Sequence, residues 1–182
     1  MTRRTKRKGL KLKLSKLKIQ EGSDESNKCQ ASSMRPSEPV DPIHRVTDYL
    51  YLSGYKATKN KEMLQNLGIG HIINLTSHKS ANAYPEEFNY SSFMFSDQVD
   101  FDLASKLNDV LVIIKALTEQ GRKVLVHCQM GISRAPSVVM AFLMQYKGHS
   151  YETALKRVQA ANPEAYPNIG FLIQLQQMST FN

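Results

Sequence analysis

The chain has 182 residues, a formal net charge of +8 and a hydrophobic content of 41%. That length suggests one domain with a core plus a tail, and no apolar run approaches the roughly 20 residues of a membrane-spanning helix. Two cysteines, Cys29 and Cys128, build no disulfide framework, and no secretory pattern opens the chain, so a reducing intracellular setting, cytoplasmic or nuclear, is expected.

The charge is unevenly spread. Residues 1–19 hold nine basic side chains and no acidic one, leaving 15 basic against 16 acidic residues elsewhere. The positive balance therefore belongs to the tail, and the remainder is close to neutral. Residues 1–40 lack a core pattern and carry Gly, Ser, Pro and charge, the composition of a disordered segment. Cys29 sits among polar residues there, as a solvated thiol would.

Within the tail, Leu10, Leu12 and Leu14 alternate with lysines behind the cluster from Arg3 to Lys8. This arrangement resembles the docking peptides that bind mitogen-activated protein kinases, and the cluster also resembles a nuclear localisation signal. An anionic membrane surface is a third partner for such a segment, and a plain solvated tail is the fourth reading.

Folding is expected from about residue 41 to residue 182. Ile43 to Val46 and Tyr49 to Ser53 read as short strands around a turn at Thr47-Asp48. Thr58 is the expected N-cap of a helix from Lys59 to Leu67, stopped by Gly68. His71 to Leu75 is a buried-type strand, Tyr84 to Glu87 a loop, and Tyr90 to Phe95 a further strand that delivers Asp97 to a loop. Asp102 to Glu119 carries Leu103, Leu107, Val110, Leu111, Ile114 and Leu117 at helical spacing, and Gly121 ends it. After the strand Val124 to Val126 comes a largely buried helix, Ser137 to Tyr146, with Pro136 in its first turn. Ser150 caps Tyr151 to Ala161, and a last helix runs from about Asn168 to Met178. Strands alternating with helices predict an α/β domain on a central sheet.

Between the strand at Val126 and the helix at Ser137 lie a cysteine, five residues and an arginine: Cys128, Gln129, Met130, Gly131, Ile132, Ser133 and Arg134. A loop entering a helix N-terminus turns unpaired backbone N–H groups into one concavity, and the helix dipole adds positive potential. A phosphate dianion suits that concavity, and Arg134 can close on two of its oxygens. The same field favours the thiolate of Cys128, which then faces a bound phosphorus as a nucleophile. The plain alternative is an inert buried cysteine at a strand end.

The stretch His127-Cys128 through Arg134 resembles the His-Cys-x5-Arg signature of cysteine-dependent protein phosphatases. The continuation through Ala141-Phe142, Asn162-Pro163 and Pro167-Asn168 to Phe171 is similar to the dual-specificity branch, in a small atypical or kinase-phosphatase-like form. The resemblance covers about residues 43 to 180. It implies a protein-tyrosine-phosphatase-like fold: a mixed, mostly parallel sheet flanked by helices. It implies hydrolysis of phosphotyrosine, and of phosphoserine or phosphothreonine, on phosphoprotein substrates, through a cysteinyl-phosphate and without metal or cofactor. Asp97 falls in the position of the general acid, with Asp100 and Asp102 as neighbours; Asp102 suits a helix N-cap. Gln129 to Arg134 become the phosphate-binding loop, and Gly131 a position set by backbone conformation.

The resemblance also gives His127 a part in orienting the loop, against the plain reading of a satisfied strand-end histidine. Asn168 is more simply a helix cap than a catalytic group. The loop carries no lysine of the kind that holds extra phosphates in inositol-phosphate relatives. A phosphatase-like binding module with little turnover and an RNA 5′-phosphatase are the alternative functions. One departure stands out: most relatives carry Ser or Thr after the arginine, where this chain has Ala135. A working enzyme with a slower second step is expected.

Overall fold

The computed structural model describes residues 41–179. The expected disordered tail, with Cys29 and the kinase-docking, nuclear and membrane readings of its basic segment, lies outside the described residues.

Five strands form one sheet in the order β1-β2-β5-β3-β4, with β1 Ile43–Arg45, β2 Leu50–Gly54, β3 Ile69–Asn74, β4 Asn89–Ser92 and β5 Lys123–Cys128. β1 runs antiparallel to β2, and every other pairing is parallel. The mixed, mostly parallel sheet expected from the sequence is therefore present. β5 is its central strand. Parallel strands buried on both faces need continuous apolar side chains, and Val124, Leu125 and Val126 are fully buried.

The two-residue period of a strand divides these side chains between two cores. Val124, Val126 and Cys128 join Leu50, Leu52 and Ile73 in the larger one. That core is closed by the helices α2 Leu103–Glu119, α3 Arg134–Lys147, α4 Tyr151–Ala161 and α5 Ile169–Ser179. Leu125 joins Tyr51, Leu64 and Ile72 in a smaller core under α1 Lys61–Leu67. Burying each such aliphatic side chain contributes about 1.5–3 kcal/mol. The same alternation directs Cys128 to the face that α3 covers.

α2 begins where Asp102 accepts a hydrogen bond from the Ser105 N–H at 3.1 Å, and its six expected core residues are all buried. Ser150 caps α4 through the Thr153 N–H.

Several strand ends shift by one or two residues, as β3 does in starting at Ile69, and three further boundaries differ from expectation. The cap of α1 is Asn60, which accepts from the Met63 N–H at 2.9 Å, not Thr58. Thr58 is buried in a 3₁₀ turn, Lys56–Lys59, where its hydroxyl donates to the Tyr55 carbonyl, so the α-helix starts after that turn. β4 ends at Ser92, and Met94 keeps only an isolated bridge to Thr76. α3 begins at Arg134 rather than Ser137, because the Ser133 carbonyl already accepts the Ser137 N–H at 3.0 Å.

Candidate active site

β5 ends on Cys128 and α3 begins on Arg134, so the loop between them is fixed at both ends by core packing. Inside it, the Gly131 N–H donates to Cys128 Sγ at 3.2 Å. Gly131 has φ +76°, in the left-handed region. A Cβ there would also lie 2.7 Å from the Gly54 nitrogen and 2.8 Å from the Ser53 carbonyl carbon. Conformation and space both demand glycine. The loop is tied outward as well. The Gln129 carbonyl accepts from the Tyr55 N–H, the Ile132 carbonyl from the Tyr166 N–H, and the Gly131 carbonyl from Asn162 Nδ2 at 3.1 Å. The Gln129 side chain accepts from Ser80 Oγ at 3.0 Å. Met130 points outward and is 69% exposed.

The charged pair comes from distant parts of the chain. Arg134 is 6% exposed, and its Nη1 donates to the Phe95 carbonyl at 3.2 Å. Its Nε lies 3.4 Å from Asp97 Oδ2 but in no hydrogen bond. Asp97 Oδ1 accepts from Ser133 Oγ at 2.6 Å and from Asn168 Nδ2 at 2.9 Å. Ser133 has spent its hydroxyl on this bond, so it caps α3 with no side-chain hydrogen bond. Its oxygen in turn accepts the Asn168 N–H at 3.1 Å.

Cys128, Gln129, Met130, Gly131, Ile132, Ser133, Arg134 and Asp97 therefore meet at one end of β5. Of the three neighbouring aspartates, Asp102 is the cap of α2 and Asp100 is exposed beyond the loop. Asp97 is the one whose carboxylate reaches the loop.

His127 points to the opposite face of the sheet, near the Tyr55 ring at 6.1 Å between centroids. Burial pushes its imidazole down to about 4, against a weak opposing hydrogen bond to the Cys128 carbonyl. The ring is neutral at physiological pH and adds no positive charge behind the sulfur. Among the described residues, no group of three or more His, Cys, Asp or Glu could hold a metal ion.

Two residues have a larger part than their sequence suggested. Asn168 is the cap foreseen, since its Oδ1 accepts the Phe171 N–H at 3.0 Å, and its other amide atom holds Asp97. Asn162 is 4% exposed and clamps the loop carbonyl at Gly131. Asn162 precedes Pro163 and Asn168 follows Pro167, and these breaks in the chain were the available signal. The long-range partner was not visible.

The family model described as the dual specificity phosphatase catalytic domain matches residues 50–181. The chain is 30% identical over 148 residues to dual specificity protein phosphatase 1B of Arabidopsis thaliana, covering 81% of this chain and 88% of that protein. It is 38% identical over 136 residues to human protein phosphatase Slingshot homolog 3, covering 75% of this chain but 20% of the relative. With the protein-tyrosine-phosphatase MKP1 of Arabidopsis thaliana it shares 36% identity, across 73% of this chain and 17% of that protein. The chain thus spans about a fifth of the length of these last two relatives. A mouse putative dual specificity phosphatase, solved with zinc tungstate, superposes with a TM-score of 0.73 at 28% identity, covering 83% of this chain and 94% of the other. The structure of human DUSP28 gives 0.72 at 28% identity, covering 77% and 94%. A match that runs through most of the sheet and every helix of the larger core places this chain in the dual specificity phosphatase family.

Proposed function

We propose that this chain is a cysteine-dependent protein phosphatase that hydrolyses phosphotyrosine and phosphoserine or phosphothreonine on protein substrates. One observation carries the reading: a buried cysteine, a buried arginine with an unbonded Nε and a loop-held aspartate converge where β5 meets the N-terminus of α3.

The substrate phosphate lies against the loop amides, with Arg134 Nε donating to one of its oxygens. The Phe95 carbonyl holds the far side of the guanidinium, so the fork arrives oriented. Cys128 Sγ attacks phosphorus in line. The S–P bond forms as the P–O ester bond breaks, and Asp97 gives its proton to the leaving oxygen. Both hydrogen bonds to Asp97 fall on Oδ1, and Oδ2, 3.4 Å from Arg134 Nε, is the oxygen that carries that proton once the guanidinium has turned to the phosphate. Water then attacks the cysteinyl-phosphate and loses a proton to Asp97, and sulfur leaves as thiolate. The proposed steps draw on Cys128, Arg134, Asp97, the loop amides and water alone.

Cys128→Ser is expected to abolish turnover of an aryl phosphate and still bind it. Asp97→Ala should lower the rate by roughly 10²–10⁴, with a much smaller loss for very acidic leaving groups. Metal-dependent activity surviving in Cys128→Ser would overturn the mechanism.

The basic, leucine-bearing segment of residues 3–19 supports recruitment to a mitogen-activated protein kinase or to the nucleus. Deleting residues 1–40 should leave aryl phosphate hydrolysis nearly unchanged while altering protein-substrate preference or location. Unchanged behaviour toward both would remove these partners.

A further inference from the structure

A cavity of about 730 Å³ opens at the other end of α3 from Arg134. A 14-residue helix separates the two by about 20 Å. Its walls come from three elements: Thr47 in the β1–β2 turn, Leu143, Lys147 and His149 at the end of α3, and Thr153, Lys156 and Arg157 on α4. The last three are spaced at i, i+3 and i+4 and so share one helix face. Three permanent cations and an imidazole line it, and no carboxylate does.

Local structure accounts for part of this. Lys147 suits the negative end of the α3 dipole. Arg157 Nε donates to the Val46 carbonyl at 3.0 Å, which pins the guanidinium to the wall. Lys156 acts on Glu152 one turn earlier, outside the lining. The Arg45–Asp48 pair flanks the turn and is closed on itself. Two features remain unexplained. His149 Nδ1 is buried with no hydrogen-bond partner, although it belongs to a residue that lines the cavity. Thr47 Oγ1 accepts two backbone N–H groups, from Tyr49 and Leu50, and so retains a hydroxyl hydrogen to donate.

We propose that this cavity is a second anion site, which takes clustered phosphate monoesters on a polyol, as in a free inositol polyphosphate or a phosphoinositide head group. Three cations exceed what one phosphate dianion neutralises, so more than one phosphate is held. The lining offers no Phe, Tyr or Trp ring on which a nucleobase could stack, His149 being its one aromatic ring, and Leu143 gives an apolar floor for ring C–H groups. The volume falls in the range of small-molecule sites. The site is separate from the Cys128 loop, and its fate does not depend on the catalytic reading.

The test titrates the full chain with inositol hexakisphosphate by calorimetry at physiological salt, and repeats it with inorganic phosphate, with ATP, and with phosphatidylcholine vesicles containing phosphatidylinositol bisphosphate. Lys147→Glu/Lys156→Glu should weaken inositol hexakisphosphate binding at least tenfold. Lys106→Glu/Arg122→Glu changes net charge equally at exposed positions outside the cavity and should cost under threefold. In the wild type, amide signals of Thr47, His149 and Thr153 should shift on titration, a readout that stands even if the double variant fails to fold. Tighter binding to the vesicles than to the soluble ligand assigns the head group, and the reverse assigns the free polyol. Equal loss in both double variants, no shift at those three amides, ATP binding as tight as inositol hexakisphosphate, or competitive inhibition of aryl phosphate hydrolysis over the same concentrations would overturn the proposal.

Discussion

The Cys128 sulfur receives the Gly131 N–H, and the next helix residue after Arg134 offers no hydroxyl: Ala135 is fully buried against the larger core. A hydroxyl there would help most when sulfur leaves phosphorus as thiolate. A neutral hydrogen bond is worth about 0.5–1.5 kcal/mol, and one to a charged group about 1.5–3. Each 1.4 kcal/mol is about tenfold in rate. Ala135→Ser is therefore expected to shrink the burst of cysteinyl-phosphate and raise the steady-state rate of aryl phosphate hydrolysis by up to roughly tenfold. Rapid-mixing kinetics reads both quantities. An unchanged burst would mean that the Gly131 amide already supplies what the hydroxyl would.

The loop that carries Asp97 and α5 are packed without slack. A Cβ on Gly170 would overlap the Val99 carbonyl, and Val99 follows Asp97 by two residues. Phe171 is fully buried, so α5 cannot back away easily, and the loop must yield. Gly170→Ala should then reproduce part of the Asp97→Ala phenotype: a clear loss on substrates with poor leaving groups and little loss on activated ones. Overpacking of this kind costs about 1–3 kcal/mol. Thermal denaturation measured alongside separates a displaced loop from an unfolded domain. An equal loss on both substrate types would show that the loop had stayed in place.

The fold as a whole carries a pH signature through β5. His127 is pushed down to about 4 by burial, against an ordinary value of 6.5. The unfolded chain therefore takes up a proton between these values and the folded chain does not. Stability is full above about pH 6.5, falls as pH drops toward about 4, and stops falling from this cause below that. The whole effect is about 3 kcal/mol. His71 is lowered in the same direction, first by burial and then by Arg122, and adds to it. Urea denaturation across this window should show the decline, and His127→Gln should flatten it even if that variant is less stable throughout. A wild-type curve level from pH 7 to 4 would contradict the neutral buried ring.

Local patterns in the chain were enough to place its helices, though not the starts of α1 and α3, its central strand and the loop that carries Cys128. Continuous apolar residues make Val124 to Val126 a buried strand, and the spacing of Leu103 to Leu117 makes α2, because both periods are properties of neighbouring residues. Cys128, Gly131 and Arg134 fall in one loop for the same reason. Asp97 was legible through family resemblance and its place in a loop after a strand. What joins it to Arg134 is the sheet order, with β5 lying between β2 and β3, and the docking of α5 beside the loop. The misplaced cap at Thr58 has the same origin, since burial of its hydroxyl under the 3₁₀ turn outweighed its capping preference. His149, Lys156 and Thr47 are ordinary polar residues in sequence and become one cavity only when α3, α4 and the β1–β2 turn pack together. Contacts between side chains far apart in the chain are set by tertiary packing, and no local period encodes them.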